Sequence, residues 1–272
     1  MKHPIRYRLE YCLARCFWAL LTALPIAAAS NVGAALGTAI GLLPILARRV
    51  ERNLILAMPD LKPRERAAIR AGVWRNLGRT IAELPHLPDF TLTDQPPRAG
   101  QIQVIGTANL EGREGSLLFG GHLANWELMY LVTAKLGRPM HVVYRAANNP
   151  LIDQWLWHVR EGSSLGALAK GASAARGIEV TFFGHPAMTA PALAQLALRR
   201  NLPVIPVRCE RLGGAAFRVT IHEPMVYATG NDQTADITAL MGQVNDLMED
   251  WIRARPEQWL WPHNRWPKNT PE

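Results

Sequence analysis

The sequence predicts an α/β fold in which a central, mostly parallel β-sheet is flanked by helices and preceded by an apolar helical segment. Two patterns support this prediction. Beyond residue 100, short apolar runs alternate with helical patterns, which is typical of helix-covered parallel sheets. Before residue 48, a long stretch lacks charged side chains and suits an element in contact with a membrane. The predicted strands are Ile102–Gly106, Leu117–Gly120, Met140–Tyr144, Ile178–Phe183, Val204–Val207 and Phe217–Ile221.

The N-terminal apolar stretch runs from Cys16 to Ala47, 32 residues without Asp, Glu, Lys or Arg. A bilayer crossing needs about 20 residues. One interpretation is an anchor helix near residues 5–24 followed by a second apolar helix. Another is a hairpin that dips into one leaflet with both basic ends on the cytoplasmic side. A buried helix pair of the globular domain is the third. We therefore divide the chain into an anchor, residues 1–47, and an α/β domain, residues 48–272.

Helical patterns cover residues 48–90, 123–136, 150–160 and 188–200, and they alternate with the predicted strands as the fold class requires. The last long helix is the clearest, because eight apolar residues between Ile237 and Ile252 recur at helical spacing. Together these helices are sufficient to cover both faces of the sheet.

The net charge of +8 and the pI of about 9.9 limit the class of partner. A basic surface suits nucleic acid, an anionic membrane or an acidic protein. No zinc-finger spacing, basic zipper or RNA-binding strand pattern is present, so a membrane is favoured over nucleic acid. The three cysteines form no CxxC pair and indicate a reducing compartment rather than a disulfide framework.

The segment SLLFGGHLANWELM at 116–129 carries the strongest chemical signal. A predicted strand ends in Gly120–Gly121, His122 is expected to open a helix, and Glu127 follows five residues later. A carboxylate beside an imidazole holds one tautomer and stabilises the protonated ring. The other ring nitrogen then removes a proton from a substrate hydroxyl. A surface pair without catalytic function is the alternative. The sequence lacks HExxH and other metal-ligand spacings, so no metal is predicted.

Several stretches resemble the lipid A biosynthesis acyltransferases, the lauroyl and myristoyl transferases and their relatives. HLANWE is similar to the HxxxxE/D block of that family. ERNLILAMPDLKPRE at 51–65, YRAANNPLID at 144–153, the segment at 182–207 and PEQWLWPHNRW at 256–266 resemble further family blocks in the same order. The resemblance covers nearly the whole chain.

The resemblance implies a membrane-associated enzyme on the cytoplasmic face of the inner membrane. It implies transfer of a fatty acyl group from acyl carrier protein or acyl-CoA to a hydroxyl of a lipid A precursor, without a cofactor. By position, His122 would be the general base and Glu127 its partner. Arg145 would bind substrate by steadying a thioester oxyanion or a phosphate, and Asn125 would bind substrate or orient the site. Another glycolipid or aminolipid acceptor is an alternative.

The chain departs from the family pattern in two places. The family has a further helix and a strand ending in an acidic block where this chain passes directly from AKGASAAR to GIEVTFFG, near residues 176–177. We expect a deletion there, and its consequence would be a catalytically impaired membrane-bound paralogue. Ala124 stands where many relatives have glycine.

Overall fold

A computed structural model describes residues 4–138, 140–144, 148–162, 167–170, 177–267 and 270. The helices are α1 (Pro4–Thr22), α2 (Ile26–Gly41), α3 (Pro44–Ala57), α4 (Pro63–Glu83), α5 (Glu127–Lys135), α6 (Pro150–Gly162), α7 (Ala192–Arg200) and α8 (Gln233–Ala254). The strands are β1 (Thr91–Thr93), β2 (Gln101–Ile105), β3 (Leu117–Phe119), β4 (His141–Tyr144), β5 (Ala167–Lys170), β6 (Ile178–Phe182), β7 (His185–Thr189), β8 (Val204–Gly213) and β9 (Ala216–Ile221).

The central sheet has five strands in the order β1-β2-β9-β8-β3. Three of its four strand pairs are parallel, and the pair β8–β9 is antiparallel. This arrangement confirms the predicted mixed α/β fold with a mostly parallel sheet.

Helices cover both faces of the sheet because the side chains of β8 alternate between two cores. Ile205 and Val207 face one core, where they pack with Leu128 of α5. Val204 faces the other core, where it packs with Leu240 of α8. The period-2 alternation of a doubly covered strand explains why β8 reads as a continuous apolar run in the sequence.

The predicted N-terminal anchor requires a correction. Among the described residues, no single helix has both the length and the apolar character needed to cross a membrane. Helices α2 and α3 are long and apolar enough for a span only when they are taken together, and they are bent by 89° at their junction. The helix predicted near residues 5–24 does form, as α1, but its sequence contains several charged side chains.

Glycines on α2 pack this helix against α4. A Cβ atom at Gly33 would overlap the carbonyl oxygen of Gly78, and one at Gly37 would overlap that of Trp74. The two backbones approach this closely because Gly33 and Gly37 on α2 and Gly78 on α4 have no side chain at the contact. These glycines therefore form a close helix–helix contact.

The region around the expected deletion differs from the prediction. A strand, β5, does form within it, and it pairs in parallel with β4. This pair does not join the five-stranded sheet, whose outer strands in the described chain are β1 and β3. The run at Ile178 forms an antiparallel hairpin with β7, a strand that the sequence analysis missed, so the helix expected at 188–200 begins only at Ala192.

Substituting Gly78 by Ala tests the close contact between α2 and α4. We expect a loss of about 1–3 kcal/mol in the free energy of unfolding, because the new methyl group overlaps the backbone of Gly33. Gly242→Ala in α8 is the matched control, since a Cβ there meets open space. It should be neutral or stabilise by up to about 1 kcal/mol. Equal unfolding free energies for the two variants in denaturant titrations would contradict the close packing.

Candidate active site

His122 lies in a loop between the end of β3 at Phe119 and the start of α5 at Glu127. The sequence analysis expected His122 to open the helix, but the helix begins five residues later. The imidazole is exposed, whereas the Glu127 side chain is only 5% exposed and occupies the first turn of α5. The amino end of a helix favours a carboxylate because its backbone N–H groups and dipole are positive there.

Gly120 and Gly121 precede the histidine because protein atoms occupy the space that a side chain would need. A Cβ atom at Gly120 would clash with the carbonyl oxygen of Val207, and one at Gly121 would clash with the side chain of Met248. These two glycines therefore permit close packing of the loop on β8 and α8.

The C-terminal segment holds the histidine loop by backbone hydrogen bonds. The N–H of Leu260 donates to the carbonyl oxygen of His122 at 3.1 Å, and the N–H of Ala124 donates to that of Gln258 at 3.0 Å. Leu123 forms an isolated antiparallel bridge with Trp259. Residues that are more than 130 positions apart in the sequence therefore share one short ladder at the site.

Ala124 adopts the left-handed conformation, with φ at 51°. This conformation costs a residue with a Cβ roughly 1–2 kcal/mol and is readily adopted by glycine, which explains why glycine suits this position. Hydrogen bonds hold the strained peptide in place. Its carbonyl oxygen accepts from Thr80 Oγ1 at 2.9 Å and from Asn76 Nδ2 at 3.3 Å.

These two α4 side chains belong to a buried polar network centred on Arg211 and Glu83. The Arg211 guanidinium donates to both carboxylate oxygens of Glu83, with Nη2 at 3.0 Å from Oε2. It also donates to Asn76 Oδ1 at 2.8 Å and to Thr80 Oγ1 at 3.2 Å. Arg211 is 7% and Glu83 0% exposed, so the pair is fully enclosed. The same ion pair thus fixes the residues that hold Ala124.

Asn125 points into this network and away from solvent. Its Nδ2 donates to Glu83 Oε2 at 3.0 Å, and the residue is 0% exposed. The Asn125 Oδ1 atom is buried and has no hydrogen-bond partner among the residues that the structure describes. The contact with Glu83 ties the loop to α4 from the inside and leaves no path for this amide to solvent.

The electrostatic surroundings of His122 keep its imidazole neutral at neutral pH. Loss of hydration in the site lowers the pKa of His122, and the neighbouring charge of His263 lowers it further, while the Glu127 carboxylate raises it. The ring of Trp126 packs edge-on against the imidazole, with centroids 5.0 Å apart. A neutral, partly desolvated imidazole near a carboxylate has the properties of a general base.

His263 is a site residue that the sequence analysis missed. It lies in the segment 256–266, which was noted only as a family block, and its backbone carbonyl accepts from Asn53 Nδ2 at 3.2 Å.

The short backbone ladder between the C-terminal segment and the His122 loop could not be read from the sequence, because it joins irregular segments with no strand pattern.

The cysteine nearest to the site is not a nucleophile. Cys209 is buried behind the loop, and its thiol donates to the carbonyl oxygen of Asn125 at 3.3 Å. Burial raises the pKa of the Cys209 thiol to about 12, so the reactive thiolate is scarce at neutral pH. Cys209 is therefore not available as a nucleophile at this site.

The remaining predicted residue, Arg145, lies outside the residues that the structure describes, and nothing is concluded about its place. Within the described ranges, no three His, Cys, Asp or Glu side chains come together in a way that could hold a metal ion.

The family model described as "Bacterial lipid A biosynthesis acyltransferase" matches the chain over residues 1–173 and 156–268. The match comes in two pieces that overlap at 156–173, close to the stretch where the sequence analysis expected a deletion. Comparison with curated proteins gives no significant match.

Replacing Arg211 by Met tests the importance of the buried ion pair. We expect a loss of about 3–5 kcal/mol in unfolding free energy, because the buried Glu83 carboxylate loses its partner. Arg218→Met, which removes a half-buried arginine from the neighbouring strand, should cost less than about 1 kcal/mol. Adding Glu83→Gln to Arg211→Met should recover part of the loss in denaturant titrations. Strict additivity of the two substitutions would contradict their coupling.

The pKa of His122 can be measured by NMR titration of its imidazole. We expect it below the ordinary value of 6.5. Glu127→Gln should lower it further, because the substitution removes the charge that favours the imidazolium. His263→Asn should raise it, because a neighbouring positive charge is lost. Shifts of the same sign in both variants would refute the proposed electrostatics.

Proposed function

The chain belongs to the bacterial lipid A biosynthesis acyltransferase family, and from this premise we propose the chemistry of its site. Membership implies an acyltransferase with an acyl donor and a lipid acceptor. We propose that the donor is acyl carrier protein or acyl-CoA and that the acceptor is a hydroxyl of a lipid A precursor. The observation that carries the proposal is the exposed, neutral imidazole of His122 on a braced loop beside the buried Glu127 carboxylate.

In the proposed mechanism, the acceptor hydroxyl attacks the thioester carbonyl carbon while His122 takes the hydroxyl proton. The carbon–sulfur bond then breaks, and the departing thiolate receives that proton from the imidazolium. Glu127 stabilises the imidazolium between the two proton transfers. The acceptor is itself the nucleophile, which agrees with the inert state of Cys209.

Two further residues have proposed roles in this scheme. Arg145 remains the proposed ligand for a thioester oxyanion or phosphate, because a guanidinium presents a fixed fork of donors. Asn125 is proposed as a positioning residue that acts through the loop, since its amide hydrogen-bonds Glu83 in the interior. The net charge of +8 favours an acidic donor such as carrier protein.

Membrane association on the cytoplasmic face of the inner membrane is part of the proposal. Exposed apolar side chains recur at helical spacing on α1, where Ile5, Leu9, Leu13 and Leu20 are 61–83% exposed. Large exposed apolar faces are rare on soluble monomers and are suited to insertion at the boundary of headgroups and acyl chains. We call these four residues the α1 stripe. It supports attachment along one leaflet, as in the hairpin interpretation of the sequence.

A glycolipid or aminolipid acceptor is the alternative within the same chemistry, because the shape of the acceptor pocket decides between them. A catalytically impaired paralogue is the second candidate function. Two observations favour it: the strand pair β4–β5 is separate from the main sheet, and the family match divides into two overlapping pieces near the same place.

Acyl transfer by the purified protein in detergent tests both candidates. With labelled acyl carrier protein, acyl-CoA and a panel of lipid acceptors, we expect transfer by the natural chain. His122→Ala should reduce the rate by about 10²–10⁴, the contribution of a general base. Glu127→Gln should reduce it less, because the base remains. His185→Ala is the control, since that ring lies on β7 and bonds to the carbonyl oxygen of Leu56.

Equal rates for the natural chain and His122→Ala would refute the mechanism. No transfer by the natural chain, with cooperative unfolding intact, would support the impaired paralogue instead. Transfer to another glycolipid but not to the lipid A precursor would leave the mechanism in place and change the acceptor.

A further inference from the structure

A groove of about 510 Å³ lies between α1 and α6, away from the His122 loop. We call it the α1–α6 groove and define it by five of its lining side chains: Arg8, Tyr11, Arg15, Trp155 and His158. It combines cationic and aromatic groups, and the proposed acyl transfer uses none of them.

Aromatic side chains of the groove hold the Arg15 guanidinium in one position. The guanidinium carbon of Arg15 lies 5.5 Å from the Trp155 ring centroid and 5.8 Å from that of Tyr11. One guanidinium nitrogen donates to Tyr11 Oη at 3.1 Å. The ring of Trp18 packs edge-on against that of Trp155, with centroids 4.8 Å apart, and holds the Trp155 ring in place. Arg15 is thereby fixed, while most of its five N–H donors are still available.

The positive charge in the groove is not neutralised by neighbouring carboxylates. In the part of the chain that the structure describes, neither Arg8 nor Arg15 forms an ion pair with an acidic side chain. Glu10, on the same helix, is already bonded by Arg6 and by Asn149. The groove therefore offers two guanidinium groups to an anion from outside.

The geometry of α1 identifies the kind of anion. Arg8 and Arg15 are seven residues apart, so they lie on one line along the helix, next to the α1 stripe. Amphipathic helices at a membrane bury the apolar face, and their long basic side chains reach the headgroup level. The groove would then open at the level of the lipid phosphates, where anionic headgroups attract basic side chains.

We propose that the α1–α6 groove binds the phosphate group of an anionic bilayer phospholipid and fixes the protein's orientation on the membrane. This inference rests on the proposed membrane association and not on the acyl-transfer mechanism. Arg8 and Arg15 provide the charge-assisted hydrogen bonds, and Trp155 forms the wall of the groove.

Vesicle flotation of the full chain tests the proposal, with phosphatidylcholine vesicles compared with vesicles that also contain phosphatidylglycerol. We expect tighter binding to the anionic vesicles. The double variant Arg8→Gln/Arg15→Gln should lose roughly tenfold of that affinity and keep its binding to neutral vesicles. Arg199→Gln/Arg200→Gln is the control. It removes the same charge from exposed positions on α7 and should stay within about twofold of the natural chain.

Equal binding of the two double variants to anionic vesicles would overturn the groove as the site. Failure of the natural chain to bind any vesicle would overturn both the groove and the proposed membrane association. Displacement by low concentrations of inorganic phosphate would identify a free phosphate rather than a lipid as the ligand and would overturn the proposal. If Arg8→Gln/Arg15→Gln raises the KM for the lipid acceptor in detergent, the groove binds the acceptor of the reaction, and the proposal is overturned. Acyl transfer by the natural chain is measured in a separate assay. If that activity is absent, the vesicle experiment still tests the groove.

Discussion

The ion pair between Arg211 and Glu83 is the constraint on which the site depends. Both side chains are enclosed, and burying two charges is favourable only when their hydrogen-bonding capacity is satisfied. The partners that satisfy it are the side chains of Asn76 and Thr80, together with the Gly214 carbonyl. Because Asn76 and Thr80 also bond the carbonyl oxygen of Ala124, the cost of burying the charges is linked to the conformation of the candidate catalytic loop.

This linkage explains how the irregular loop between β3 and α5 is held in one conformation. The buried network hydrogen-bonds the carbonyl oxygen of Ala124, and the C-terminal segment forms backbone hydrogen bonds with the loop. The loop also packs against β8 and α8 at Gly120 and Gly121. The strained φ of Ala124 is maintained by these contacts. With the loop backbone held in this way, His122 remains an exposed residue while Glu127 is buried at the start of α5.

The sequence predicted four of the five strands of the central sheet and singled out His122 and Glu127, because apolar runs and a glycine-bounded motif are local signals; it missed the short strand β1. It did not predict the network, because Glu83 and Arg211 are 128 residues apart and a lone charged residue reads as a surface residue. Nor did it distinguish apolar residues that stay exposed from apolar residues that pack on protein. The glycines of α2 are buried against α4, whereas the exposed stripe lies on α1, and composition alone is similar in both.

These observations join an N-terminal helix with an exposed apolar stripe to a candidate site whose proposed base, His122, has a lowered pKa. The most direct test of that base is the pH dependence of kcat/KM for acyl transfer, compared with the pKa of His122 measured by NMR in the same protein. A catalytic base must be unprotonated, so the rate should be constant at neutral pH and fall on acidification, with a midpoint at the His122 pKa below 6.5. A rate that stays constant as the pH falls through that pKa would contradict the role assigned to His122.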